Sequence, residues 1–172
     1  MNTARSKILT IALLSSFSWF SCAAPEPEST TGVSAGHATP ECRDHQTVLP
    51  VDNAEVIHWK STTPNQTLER AHVSGTIDRI YSKENGHEHF EIQIGPGSSD
   101  TIEVVYNISF GSLPELQVGM TVEACGDYIT SNQATSQYPA SPSGAIIHWI
   151  HRSNSKKHDS GFLLINNVLY GT

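Results

Sequence analysis

Nine of the 172 residues are histidine, and five of them fall in two short runs: His87 and His89, then His148, His151 and His158. Imidazole is the side chain that titrates nearest neutral pH, and it is a good nitrogen ligand for zinc, copper and nickel. His87 and His89 are two positions apart, so on a strand both rings project from one face, with Glu91 next along it. That spacing suits two nitrogens and a carboxylate around one divalent metal; it suits a hydrated polar face beside a turn equally well. His148 is followed by Trp149. His148 and His151 differ by three positions and face opposite ways in a regular strand, so a shared site needs a bulge or a strand end at Ile150. Arg152, Lys156 and Lys157 add positive charge beside His151 and His158. With Trp149, Tyr128 and Tyr138 near in sequence, the stretch reads either as phosphate contacts beside stacking rings or as a solvated loop. No Gly-rich phosphate loop, C-x-x-C, H-E-x-x-H or G-x-S-x-G is present, and His87-Glu88-His89 lacks the helical i, i+4 spacing of zinc proteases.

These residues have to be positioned by sheet. Threonine, serine, valine, isoleucine and glycine are plentiful, while alanine, leucine and lysine are sparse, which disfavours a helix bundle. The strongest local signal is Asn85-Gly86 between two alternating runs, the pair a type I′ hairpin turn needs. Pairing outward from that turn sets Ser82 opposite His89, Tyr81 opposite Phe90 and Ile77 opposite Ile94. Phe90, Ile92, Ile94, Tyr81 and Ile77 then face the core, and His87, His89, Glu91 and Gln93 face away. A β-bulge between Ile77 and Tyr81 would return Arg79 to the outside. Further strands are expected over 101–108, around Val122, Ala124 and Tyr128, over 144–151, and as a short pair about Asn166-Asn167. Residues 131–144 read as a long loop; residues 50–71 fit a strand or a short helix. Five or more short strands without a long helix predict an all-β fold, a small closed or partly open antiparallel barrel. The run Leu116 to Tyr128 looks like the fourth strand of an OB barrel.

Residues 1–24 read as a secretory or lipoprotein signal. Arg5 and Lys7 precede an uncharged stretch of 13 residues, Ile8 to Phe20, too short to span a bilayer. Two exits compete: cleavage after Ala23, or acylation of Cys22 as a lipoprotein. Residues 25–40 have the composition of a disordered linker. Residues 41–71 would form an N-terminal extension packed on a barrel domain of 72–172. Without the leader, eight basic and seventeen acidic residues remain, a charge of −9. That balance disfavours general nucleic-acid binding, and it leaves membrane association to a signal or lipid anchor. Cys42 and Cys125 form an even pair for an oxidising compartment and are candidates for a disulfide, with two free thiols as the alternative.

The runs Gly75-Thr76-Ile77, Glu84 to Phe90, Tyr106-Asn107-Ile108, Val118 to Val122, Gly126-Asp127-Tyr128, Gly144 to His151, His158 to Phe162 and Tyr170-Gly171 together resemble one family. It is an uncharacterised bacterial family of small secreted proteins, domain-of-unknown-function family 3465. The resemblance covers residues 70–171 and implies an OB-type barrel behind a signal peptide. It also implies favoured positions at His87, Asn107, His148-Trp149 and His158. The chain departs from that pattern at Tyr106, Arg152 and Ser153, where histidine, histidine and aspartate are common.

Three functions fit these residues. The first is a non-enzymatic extracytoplasmic OB-like domain that binds a small or polyanionic ligand at His87, His89, Asn107, His148, Trp149, His151, Arg152 and His158. The second is a metal-dependent phosphodiesterase or nuclease, with a divalent metal on His87, His89 and Glu91 or a histidine as general base. The third is a structural envelope protein.

Overall fold

The computed structural model describes residues 39–155 and 158–172. The signal expected over 1–24, with Cys22, nearly all of the expected linker, and Lys156 and Lys157 lie outside the described residues. A two-residue hairpin, β1 (Arg43–Asp44) and β2 (Thr47–Val48), opens this part of the chain. The ambiguous stretch that follows becomes a helix, α1 (Asn53–Thr62). Asp52 caps it by accepting from the Glu55 N–H at 3.0 Å, and Thr63-Pro64 ends it. Its apolar residues do not gather into a stripe, which is why periodicity could not announce it.

The strands are β3 (Leu68–Ile80), β4 (His87–Gln93), β5 (Thr101–Asn107), β6 (Thr121–Thr130), β7 (Ala145–His148), β8 (Phe162–Ile165) and β9 (Val168–Tyr170). They run in the order β3-β4-β5-β7-β6, and β6 pairs again with β3, so five strands close a barrel. β5 and β7 pair in parallel, through Glu103↔Ile146 and Val104↔Ile147. The all-β barrel is as expected from the sequence; its strictly antiparallel character is not, and the barrel is mixed. Closure explains the exception: in a ring of five strands whose β3–β4, β4–β5, β3–β6 and β6–β7 pairings are antiparallel, β5 and β7 must run the same way.

Asn85 and Gly86 both have positive φ, 48° and 76°, as the predicted turn requires. The register differs from simple outward pairing. Glu84 bridges His87, but Ile80 rather than Tyr81 faces Phe90, and Ile77 rather than Arg79 faces Ile92. One slip falls within 81–83 and a second between Ile77 and Arg79, inside the segment where a bulge was expected. The first slip turns Tyr81 out of the core, and its hydroxyl donates to Glu91 on the outer face at 3.1 Å. Phe90, Ile92, Ile94 and Ile77 fill the core with Val73, Val104, Val122, Tyr128 and Ile147, and α1 adds Val56.

The outer edge of β6 changes partner along its length. Its first half pairs with β8, ending at Cys125↔Phe162, and its second half pairs with β7, starting at Asp127↔His148. Two glycines make this crossing fit. A Cβ on Gly161 would lie 2.3 Å from the carbonyl oxygens of both Cys125 and Trp149, and one on Gly126 would lie 2.3 Å from that of His148.

Cys42 and Cys125 are disulfide-bonded, with Cα atoms 5.5 Å apart. The bridge lies in a small outer cluster with Phe162 and Leu164, so it straps the N-terminal segment across the outside of the barrel. It closes a loop with a sequence separation of 83. Reduction should therefore lower unfolding free energy by about 4 kcal/mol through denatured-state entropy. Urea unfolding with and without dithiothreitol measures this, and coincident transitions would contradict it.

Candidate functional site

The histidines meet at the end of the barrel where β4 begins and β5 and β7 end, away from α1. His87 and His89 project from the outer side of β4. The surprise is at the end of β7. Ile147 points into the core and His148 outward; Trp149 then takes φ 55°, a left-handed conformation uncommon for a bulky residue. That turn keeps Trp149 on the side of His148 and returns Ile150 to the core. The strand thus ends two residues before Ile150, and His151 comes round to the same side.

The rings form a continuous series. Centroids are 6.3 Å apart for His87 and His89, 5.4 Å for His87 and His148, and 5.5 Å for His148 and Trp149. His158 stacks on Trp149 at 4.1 Å and 8°, and His151 stacks on Phe110 at 3.6 Å and 12° while lying 5.5 Å from Trp149. Trp149 thus separates the pair His87–His148 from His158 and His151.

Oxygens behind the rings set their orientation. His89 Nδ1 lies 2.8 Å from Glu103, His158 Nδ1 lies 2.7 Å from Asp127, His87 Nδ1 lies 3.0 Å from the Asn85 carbonyl, and His151 Nδ1 lies 2.8 Å from the Arg152 carbonyl. Carbonyls and ionised carboxylates only accept, so in each neutral ring Nδ1 carries the hydrogen and Nε2 is left with its lone pair. Both carboxylates are themselves held. Arg70 donates to Asp127 at 2.8 Å, and Ser141 from the long loop 131–144 donates to Glu103 at 2.5 Å. Glu91, directly opposite Glu103 in the ladder, accepts from Tyr81 and from Ser143 of the same loop. Those bonds occupy Glu91 Oε2, the carboxylate that sequence spacing had set beside His87 and His89. Asn107 faces His87 across the ladder, and its side-chain oxygen accepts from Ser109 N–H, capping a 3-10 turn over Ile108–Phe110. Arg152 is exposed; its backbone N–H reaches the Gly171 carbonyl at 2.5 Å.

Sequence reading missed Asp127, Glu103, Arg70 and Phe110. Asp127 lies 31 residues from the ring it holds and Glu103 lies 14, Phe110 stacks on the distant His151, and Arg70 acts through Asp127, so only the folded chain brings them together. Among the described residues, the trio of histidine and carboxylate donors lying within 4.8 Å of one another is Asp44, His45 and Asp159, in a different and more exposed place.

Burial pushes the His148 imidazole down to about 4, helped by neighbouring His87, His151 and His89 and opposed by Asp127. At neutral pH it is an uncharged ring. Its folded value lies below the unfolded value of about 6.5, so its contribution to stability is full above that pH and is lost as pH falls from about 6.5 towards 4, by up to about 3 kcal/mol. Urea unfolding at pH 7.5 and pH 4.5 should show wild type losing more stability on acidification than His148→Gln. Parallel losses would contradict the buried neutral imidazole.

The geometry can now be set beside known proteins. No curated protein matches the chain. Residues 56–171, from α1 to the residue after β9, match the family described as protein of unknown function (DUF3465). That span takes in the closed barrel and every ring of the cluster, and the chain belongs to this family.

Proposed function

We propose that this barrel is an extracytoplasmic, non-enzymatic binding domain that takes a small ligand through the imidazole nitrogens of the histidine cluster. The observation that carries the reading is the anchoring of His87, His89, His151 and His158 through Nδ1, which leaves four Nε2 atoms as ready acceptors or ligands. The location also supports it. Strands 2 and 3 of an OB barrel, with the loop between strands 4 and 5, form the usual ligand face; here these are β4, β5 and residues 131–144. Glu91, Glu103 and Asp127, buried beneath the rings, weigh against a polyanion and favour a small partner. The two His–carboxylate pairs, His89–Glu103 and His158–Asp127, fix the orientation of their rings.

Extracytoplasmic placement rests on the signal-like residues 1–24 and on the disulfide, a bond that persists in oxidising compartments. Attachment through Cys22 would make the protein a lipoprotein tethered to the envelope. No helix among the described residues is long and apolar enough to cross a membrane.

The test uses isotope-labelled protein without an affinity tag, titrated separately with zinc chloride, inorganic phosphate and a ten-nucleotide oligothymidylate while the histidine and tryptophan ring signals are followed. Bis(p-nitrophenyl) phosphate is assayed in parallel with and without manganese. Saturable shifts from zinc or phosphate at His87, His89, His148 and Trp149, without nitrophenol release, support binding. Chelator-sensitive turnover would favour the hydrolase instead, and rings unmoved by all three probes would leave a structural role.

A further inference from the structure

We propose that the ligand is a single late first-row divalent metal ion, held through Nε2 of His87 and His148 with His89 as the third nitrogen. This rests on the binding reading above and names its ligand class. The donor type comes first. Three imidazoles form an all-nitrogen set, which suits zinc, copper or nickel, whereas magnesium and calcium seek oxygen.

Spacing agrees. A metal 2.0–2.1 Å from two imidazole nitrogens at a tetrahedral angle holds their ring centroids roughly 5 Å apart. His87 and His148 are already at 5.4 Å, and His89 lies 6.3 Å from His87. The three nitrogens are not yet all within 4.8 Å of one another, so closure on an ion requires the His87 ring to swing inward. That ring is placed to do so: it sits at the first residue of β4, beside the two-residue turn, and is tied at Nδ1 to the Asn85 carbonyl.

The surroundings of His87 and His89 match what metal-bound histidines require. Such rings donate their other N–H to a carboxylate or carbonyl, which fixes the tautomer and raises the basicity of the ligating nitrogen. Glu103 does this for His89 and is itself oriented by Ser141. Its negative charge lies directly behind the proposed ion. Glu91 Oε2 is held by Tyr81 and Ser143, and the proposed set is the three imidazoles alone. The rival trio, Asp44, His45 and Asp159, offers two carboxylates and one imidazole, a harder donor set on an exposed surface.

Zinc is measured on the untagged full chain by competition with a fluorescent chelator, and copper by the nitrogen hyperfine pattern of its electron spin resonance. One zinc per chain is expected. His87→Ala and His148→Gln should each weaken zinc at least tenfold, and Glu103→Gln about tenfold through His89; His45→Ala should leave affinity unchanged. Circular dichroism shows which variants fold, and His87→Ala, clear of the core, keeps the test decisive if His148→Gln does not. Zinc affinity that falls with His45→Ala, or that ignores both His87→Ala and His148→Gln, would overturn the proposal. If inorganic phosphate moves the His87 and His148 signals and zinc does not, the metal falls and the binding site stands. If neither moves them, both fall.

Discussion

Asp127 is a carboxylate with a side chain only 10% exposed, placed in the middle of β6 where three strands converge. A charge in such a place must be matched, because removing one partner of a buried ion pair leaves the other uncompensated at a cost on the order of 3–5 kcal/mol. Arg70, opposite it on β3, supplies the match and then uses its remaining donors. Its Nε reaches the Arg43 carbonyl at 3.0 Å, and a terminal nitrogen reaches the Ser160 carbonyl at 2.7 Å. One guanidinium thereby ties β3 to the N-terminal hairpin segment, to β6 and to the chain entering β8. The other oxygen of Asp127 holds His158, and His158 lies flat on Trp149.

The same arrangement explains why the site lies where it does. β6 passes from β8 to β7 between Cys125 and Asp127, and the two neighbouring strands leave a gap there that Gly126 and Gly161 keep narrow. Just beyond, Trp149 turns left-handed and ends β7. A strand that continued would have buried Trp149 and sent Ile150 out. Ending it early sets two half-buried rings side by side and still fills the core. On the neighbouring strands, Ser141 and Ser143 fold the long loop back over Glu103 and Glu91, so the outer face of β4 and β5 is stiffened before any ligand arrives.

Legibility in the sequence followed the range of the interactions. Asn85-Gly86, the alternation of Phe90, Ile92 and Ile94 with His89 and Glu91, and the pairing of Cys42 with Cys125 depend on local pattern or on parity, and the sequence reading reached all of them. The register followed only in part: the bulge between Ile77 and Arg79 lies in the segment where one was expected, but the slip within 81–83 is invisible in an alternating pattern, and it moved Tyr81 from core to outer face. α1 carries no apolar stripe. The left-handed Trp149 has no glycine or asparagine to signal it. Asp127 looked like an ordinary polar residue in a Gly-Asp-Tyr run; its importance comes from Arg70 and His158, which are distant in sequence and adjacent only in the folded barrel.

The central claim is that the buried carboxylates of Glu103 and Asp127 fix the His89 and His158 imidazoles with hydrogen on Nδ1 and a bare Nε2. Long-range proton–nitrogen correlation spectra of the histidine rings at pH 7.5 test it directly. Nδ1–H tautomers at His89 and His158, each converting to the commoner Nε2–H form when Glu103 or Asp127 is replaced by alanine, are the predicted result. Nε2–H tautomers at both rings in the wild-type protein would contradict it.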